Sequence, residues 1–374
     1  TEDKLLLNEV SAIFVPGTMT ALMGSSGAGK STLMDVIAGR KNTGTISGEL
    51  LVNGHSIDNA TFARVSGYVE QADIHVPTET VHEALRFSAY HRLPREMPDA
   101  EKESVVEAVV DLIELRPILN KVIGHAGGGS LSVEQRKRVT IGVEMAANPS
   151  VLFLDEPTSG LDSRSARVVM RAVRRIAASG RTVLCTIHQP SYEIFSMFDR
   201  LLLLKKGGWV VYNGDMGPTQ HNDITNEPIN TAQNMVNYFR SCSTSVPPLA
   251  EDQNPAEYML SVIGAGTSAG NGQAAEHGVD FVECYQRSAM AVSINQMIST
   301  APQGQKLHFD TRYSASYTRQ ISLNIRRWMA SYWRNVSYNL TRNLVVILCS
   351  LLFGLSITKQ RVSETYDQPT LQSF

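Results

Sequence analysis

Short apolar runs bounded by glycine and polar turns alternate with stretches of helical spacing over the first 215 residues. Residues 5–23 read as two strands joined by a Pro16-Gly17 turn, and 30–38 continues as a helix. Strand patterning recurs at 46–53 and 64–70, separated by an Asn53-Gly54 turn. Helical spacing follows near 80–92 and 99–115, the second with Val105, Val109, Leu112 and Ile113 on one face. A glycine run at 127–129 precedes a helix from about 132 to 147. Strand-like runs then lie at 151–154, 182–187, 200–204 and 209–212. Such alternation predicts an α/β fold, a mostly parallel sheet flanked by helices, with an inserted helical block.

Beyond this the pattern changes. Residues 214–230 hold Gly, Pro, Asn and Asp with little periodicity, and 264–278 reads as a flexible tether. Short helices are expected at 231–241, 254–263 and 279–299. From 316 to 334, Tyr317, Ile321, Ile325, Trp328 and Tyr332 fall on one stripe, with Arg319, Arg326 and Arg327 elsewhere. That suits a helix lying in a membrane interface, the alternative being a surface helix packed on the core. The stretch from Leu344 to Ile357 carries no charge. Counted from Leu340 it reaches about eighteen residues, near the lower limit for a span. Trp328, Tyr332 and Trp333 supply an aromatic belt, and the arginines place the upstream side in the cytoplasm.

The organisation predicted is an α/β domain at 1–215, a linker with short helices at 216–312, an amphipathic connecting helix at 313–339, a transmembrane helix at 340–358, and the start of an extracytosolic segment at 359–374. The chain reads as a piece of something longer.

A formal net charge of -2 gives no electrostatic case for nucleic acid. Arg136-Lys137-Arg138 reads as a solvated helix face or a partner contact. Cys185, Cys242, Cys284 and Cys349 are scattered, with no CxxC pair, and fit neither a zinc site nor a disulfide framework.

The chemistry concentrates at two places. Residues 24–31, GSSGAGKS, match GxxxxGK[ST]. Its glycines let backbone N–H groups curl round phosphates, Lys30 reaches the β- and γ-phosphates, and Ser31 joins a Mg²⁺ shell. The apolar run 151–154 delivers Asp155 and Glu156 to the carboxyl end of a buried strand, where α/β sheets keep their ligands. Asp155 reads as metal-orienting and Glu156 as the group that polarises water for attack on a γ-phosphate. Gln71 closes the run GYVEQ and His188 follows TVLCTI. Taken singly, such residues are more often a surface glutamine and a structural histidine.

Together GSSGAGKS, GYVEQADIH, LSVEQRKR, LFLDEPTSGLD and TIHQPS resemble the second nucleotide-binding domain of a pleiotropic-drug-resistance transporter, the full-length type of the ABC transporter G subfamily. The resemblance covers about residues 1–215, and SYWRNVSYNLTRN resembles the entry into the second membrane domain. It implies an ABC cassette fold with an antiparallel β subdomain and a helical subdomain. ATP contacts are then expected from Gly24, Ser25, Ser26, Gly27, Ala28, Gly29, Lys30, Ser31 and Thr32. Mg²⁺ would be held by Ser31, Gln71 and Asp155, with catalytic roles for Glu156, His188 and Gln71. Ser159, Gly160, Leu161 and Asp162 correspond to the D-loop.

One departure stands out. Signatures of this family normally read LSGGQ or VSGGE, whereas this chain has Leu131, Ser132, Val133, Glu134 and Gln135. Side chains replace both glycines and a carboxylate faces a phosphate position, so this loop is expected to clamp poorly. The resemblance therefore implies an asymmetric pair, in which a second nucleotide-binding domain, the first half of the same polypeptide, supplies the intact signature. It further implies an integral plasma-membrane exporter of hydrophobic or amphipathic compounds, with a cytosolic cassette and membrane lipid as a partner. The competing reading, a soluble ABC ATPase acting on ribosomes or DNA, is opposed by residues 340–358 and by the near-neutral charge.

Overall fold

The first strand, β1 (Met19–Gly24), is buried at every position and runs through the glycine-rich loop into α1 (Lys30–Ile37). Its unbroken apolar character is what a parallel strand covered on both faces requires. The computed structural model describes residues 5–125, 130–221, 228–264 and 279–366. Of the two strands expected across 5–23, only this second one forms. Residues 5–15 are tethered side-on instead, with Asn8 N–H donating to Gly208 O at 3.0 Å. The approach is so close that a β-carbon on Gly208 would lie 2.2 Å from Leu6 O.

The strand expected over 46–53 shrinks to a two-residue hairpin, β2 (Leu51–Val52) with β3 (His55–Ser56). Positive φ at Asn53 and Gly54 makes the turn that twists with its strands. Helix α2 (Asn59–Val65), capped by Asp58 on Thr61 N–H at 2.9 Å, leads into β4 (Ser66–Val69). The inserted helical block is α3 (Val81–Arg92), α4 (Asp99–Leu112) and α5 (Val133–Met145). These helices meet closely at Gly142, where a β-carbon would come within 2.8 Å of Ile113 Cδ1 and 3.0 Å of Leu85 Cδ2. The glycine run at 127–129 lies outside the described residues.

Next come β5 (Val151–Leu154), α6 (Ser163–Ala178), β6 (Thr182–Thr186), α7 (Tyr192–Phe195), β7 (Arg200–Lys205) and β8 (Trp209–Asp215). The sheet order is β4-β5-β6-β1-β7-β8, parallel throughout except for β8, which returns antiparallel to β7. Leu22, Phe153, Leu184 and Leu202 fill one face. The strand order puts the carboxyl ends of β4, β5, β6 and β1 side by side.

Residues 216–312, expected as a linker, are built onto this body. A short hairpin of β9 (Thr219–His221) and β10 (Pro228–Asn230) interrupts the stretch expected to lack structure. Helices α8 (Gln233–Cys242), α9 (Pro255–Val262), α10 (Phe281–Gln286) and α11 (Ala289–Ser299) follow. Phe239 of α8 lies between Tyr212 of β8 and Phe281 of α10, with ring centroids 6.1 and 5.6 Å away. Aromatic burial of this kind, not tether composition, decides where these helices sit. The same packing brings Cys242 and Cys284, 42 residues apart in sequence, to a Cα separation of 6.2 Å and a disulfide, which corrects the reading of the cysteines as unpaired. Most of the expected tether, 265–278, lies outside the described residues.

The chain divides into two compact units, Thr1–Tyr317 and Thr318–Phe374. In the second, α12 (Tyr317–Arg334) exposes Tyr317, Ile321, Ile325 and Trp328 of the expected stripe, while Tyr332 is half-buried. It ends at Asn335, whose side chain accepts from Tyr338 N–H at 3.1 Å and so caps α13 (Val336–Tyr366). The break therefore falls five residues before the expected start of the span at Leu340. One helix among the described residues, Val336–Thr358, is long and apolar enough to cross a membrane, at 23 residues rather than eighteen. At 1.5 Å per residue this is about 34 Å, ample for a hydrocarbon core. The helix continues past 358, where an extracytosolic segment was expected, and 367–374 lies outside the described residues.

Candidate active site

The glycine-rich loop connects β1 to α1 with Gly27 and Gly29 at positive φ, a backbone course that turns successive N–H groups inward. Gly24 admits no side chain, because a β-carbon there would lie 2.3 Å from Leu204 O. Lys30, only 9% exposed, donates from Nζ to Gly24 O at 2.9 Å and to Ser25 O at 3.1 Å. Burial lowers its pKa, and the charges of Glu156 and Asp155 partly oppose that shift. A buried ammonium held only by carbonyls is poised to accept an anion. Ser31 is exposed at the start of α1.

From the end of β5, Asp155 and Glu156 leave in different directions. Glu156 has φ 44°, a left-handed backbone that turns its side chain off the line of the strand. Its carboxylate accepts from Gln71 Nε2 at 2.9 Å, so the second residue past β4 meets the second residue past β5 directly. Ser159 Oγ lies 3.4 Å from the same nitrogen. Thr186, the last residue of β6, was not singled out in the sequence. Its hydroxyl donates to Asp155 Oδ1 at 2.7 Å and accepts from Glu156 N–H at 2.8 Å, fixing both members of the acidic pair. A threonine ending an apolar strand beside an acidic pair is the signal that would have pointed to it. Asp155, Gln71, Glu70, Ala72, Tyr68 and Arg40 line an open cleft of about 380 Å³. His188 is exposed beyond β6.

The five residues 131–135 use their polar groups locally. Ser132 Oγ accepts from Gln135 N–H at 3.1 Å, and Gln135 Oε1 accepts from Ser132 N–H at 3.2 Å, a reciprocal cap for α5. Glu134 pairs with Arg138 one turn on, so its carboxylate is partly neutralised rather than aimed bare at a phosphate. Val133 is 59% exposed at the position of a glycine. Leu131 is buried. Asp162 caps α6 by accepting from Arg164 and Ser165 N–H at 3.1 and 3.3 Å, and Ser159 and Gly160 beside it are exposed.

The basic run after Gln135 is not a solvated face. Arg136 and Lys137 are 7% and 2% exposed. Arg136 donates to the carbonyls of Ile123, Gly124 and His125 at 3.0–3.2 Å, and Arg138 to those of Ile113 and Glu114 at 3.2 and 2.9 Å. Irregular chain beside α5 leaves buried carbonyls that need donors, and these three residues supply them.

Residues 7–159 match a family model described as ABC transporter, and 188–265 match one described as ABC-2 type transporter. In the structure the second range covers α7, β7, β8, the β9–β10 hairpin, α8 and α9, ahead of the candidate span. ABC transporter G family member 38 of Oryza sativa subsp. japonica is 46% identical over 334 residues, 88% of this chain and 21% of that protein. G family member 45 of the same organism is 43% identical over 366 residues, 96% of this chain and 26% of that one. Arabidopsis thaliana G family member 40 is 44% identical over 358 residues, 94% and 24%. The chain thus spans about a quarter of the length of these curated relatives. Among solved structures, a nucleotide-free ATP-binding cassette of an ABC transporter is similar at 23% identity and a TM-score of 0.49, covering 57% of this chain and 87% of that one.

Proposed function

The chain carries an ABC transporter ATPase cassette of the G family, and from that premise we propose that it is the second, hydrolytic nucleotide-binding domain of a longer pleiotropic-drug-resistance type exporter. The observation that carries the hydrolytic reading is the 2.9 Å contact between Gln71 and Glu156, beside Asp155 and within the field of Lys30. Lys30 binds the β- and γ-phosphates of ATP, aided by the N–H groups of residues 24–32. Glu156 takes proton density from the attacking water while Gln71 orients it, and His188 donates to the γ-phosphate.

The oxygen donors Ser31, Gln71 and Asp155 suit a hard cation. Asp155, steadied by Thr186, would be the charged member of a Mg²⁺ shell with Ser31 and Gln71. The ion would supply neutralisation of the phosphate charge.

The site lacks a clamp from its own signature, because Ser132 and Gln135 bond each other and Val133 occupies a glycine position. An intact signature then comes from a partner domain, met through the exposed Ser159 and Gly160. The opposite composite site, built on residues 131–135, is weak. Val336–Thr358 anchors the cassette at the plasma membrane, and hydrolysis drives efflux of hydrophobic or amphipathic compounds.

The test is Glu156→Gln in the full-length protein. ATP binding should persist while turnover falls by roughly 10²–10⁴, the usual value of general-base assistance. Unchanged turnover would remove Glu156 from this role.

A further inference from the structure

Lys137 has no part in the chemistry above, yet it is among the most deeply buried polar groups of the cassette, 2% exposed. From α5 it reaches the loop that follows β4. Its ammonium lies 2.9 Å from Asp73 Oδ1 and donates to Gln71 O at 2.8 Å and Glu70 O at 3.4 Å. Asp73 is held a second time, accepting from Thr140 Oγ1 at 2.6 Å, one turn further along α5. That hydroxyl also lies 2.8 Å from His75 Nε2. One helix face, Lys137 and Thr140, thus holds the loop carrying Gln71 at Glu70, Gln71, Asp73 and His75. Gln71 is gripped by its backbone from the α5 side while its side chain binds Glu156.

We propose that Lys137 is a positioning residue for ATP hydrolysis, locking the Gln71 loop to the signature helix so that Gln71 reaches Glu156. This rests on the roles given to Gln71 and Glu156 above. The physical case is twofold. A buried ammonium paired with one carboxylate and satisfied by two carbonyls has a single low-energy arrangement, because any displacement leaves a charge unpaired in a poorly hydrated site. The loop itself has little regular structure to hold it, running from β4 into a bend. A helix that carries residues 131–135 at its start and clamps the loop a turn later therefore ties the signature to the site.

The experiment compares ATPase kinetics of Lys137→Met, Gln71→Ala and the double variant in the full-length protein reconstituted in lipid nanodiscs. Lys137→Met should lower kcat about 10- to 100-fold, the scale of a small misplacement of a reacting group, with KM for ATP little changed. In the Gln71→Ala background the same change should cost almost nothing further, because both act through one side chain. Losses that multiply in the double variant, or a raised KM with intact kcat, overturn the proposal. Asp73→Asn, which keeps the shape and removes only the charge, carries the same test if Lys137→Met does not accumulate. Glu156→Gln is run alongside: full turnover in that variant overturns the underlying assignment instead.

Discussion

At the carboxyl ends of β4, β5 and β6, polar side chains reach across from one strand to the next. At the start of α5 they turn back onto their own helix. Gln71 meets Glu156, and Thr186 meets Asp155, over sequence distances of 85 and 31 residues. Ser132 and Gln135, three residues apart, meet each other, and Glu134 meets Arg138. The cause is local. At the carboxyl edge of a parallel sheet the strand ends lie side by side, so a polar side chain there finds its partner on the neighbouring strand. A helix start has unpaired N–H groups that capture any short acceptor nearby. Glycines at positions 133 and 134 would leave that end open for a ligand. Valine and glutamate there close it, one by bulk and one by an ion pair with its own helix. The two edges of one cassette therefore direct their polar groups differently, one across strands and one along its own helix.

Three substitutions test that difference, beyond the two experiments already given. Lys30→Ala should act most strongly. Losing a charged donor is worth about 1.5–3 kcal/mol, so ATP binding should weaken roughly 10- to 150-fold in a fluorescent-nucleotide titration. Binding as tight as wild type would mean the glycine loop does not hold phosphates. Thr186→Val keeps the shape but frees both members of the acidic pair. The bond to the Asp155 carboxylate is worth about 1.5–3 kcal/mol and the neutral one from Glu156 N–H about 0.5–1.5 kcal/mol, so turnover should drop about 10-fold or more with ATP still bound. Wild-type turnover would show that Asp155 and Glu156 need no steadying from β6. Val133→Gly with Glu134→Gly should do least, leaving steady-state ATPase near wild type while lowering the melting temperature slightly. Each glycine costs about 0.5–1 kcal/mol in a helix. A several-fold rise in turnover would mean that the opposite site was limited only by these two side chains, and the contrast between the edges would collapse to a matter of two residues.

Much of the sheet was readable because its strands are continuous apolar runs ending in chemistry-bearing residues. β5 and the Asp155-Glu156 pair are visible as VLFLDE, and β1 with its loop as MTALMGSSGAGKS. The failures have physical causes too. The first of the two strands expected in residues 5–23 is apolar enough, but among the described residues no strand pairs with it, and pattern alone does not supply one. Arg136-Lys137-Arg138 looked solvated because burial of a charge depends on carbonyls contributed from elsewhere in the chain. Two of the helices in 233–299 were legible, the one expected over 279–299 breaks at Arg287-Ser288 into α10 and α11, and their docking on β8 rests on Tyr212, Phe239 and Phe281, which no spacing connects.

By itself the sequence determined the local matters: which long apolar runs, such as β1 and β5, become strands, where glycines let the phosphate loop curl, and which acidic pair ends β5. It also determined that a long, mostly apolar helix follows α12, since hydropathy and length need no partner to be read. The tertiary structure alone decided what meets what. It set Gln71 on Glu156, Thr186 under Asp155, Lys137 on Asp73 and Cys242 on Cys284, and it turned Glu134 onto Arg138. Local conformation follows from a few neighbouring residues, whereas contacts across tens of residues follow from the order of strands in a sheet and the packing of helices on it.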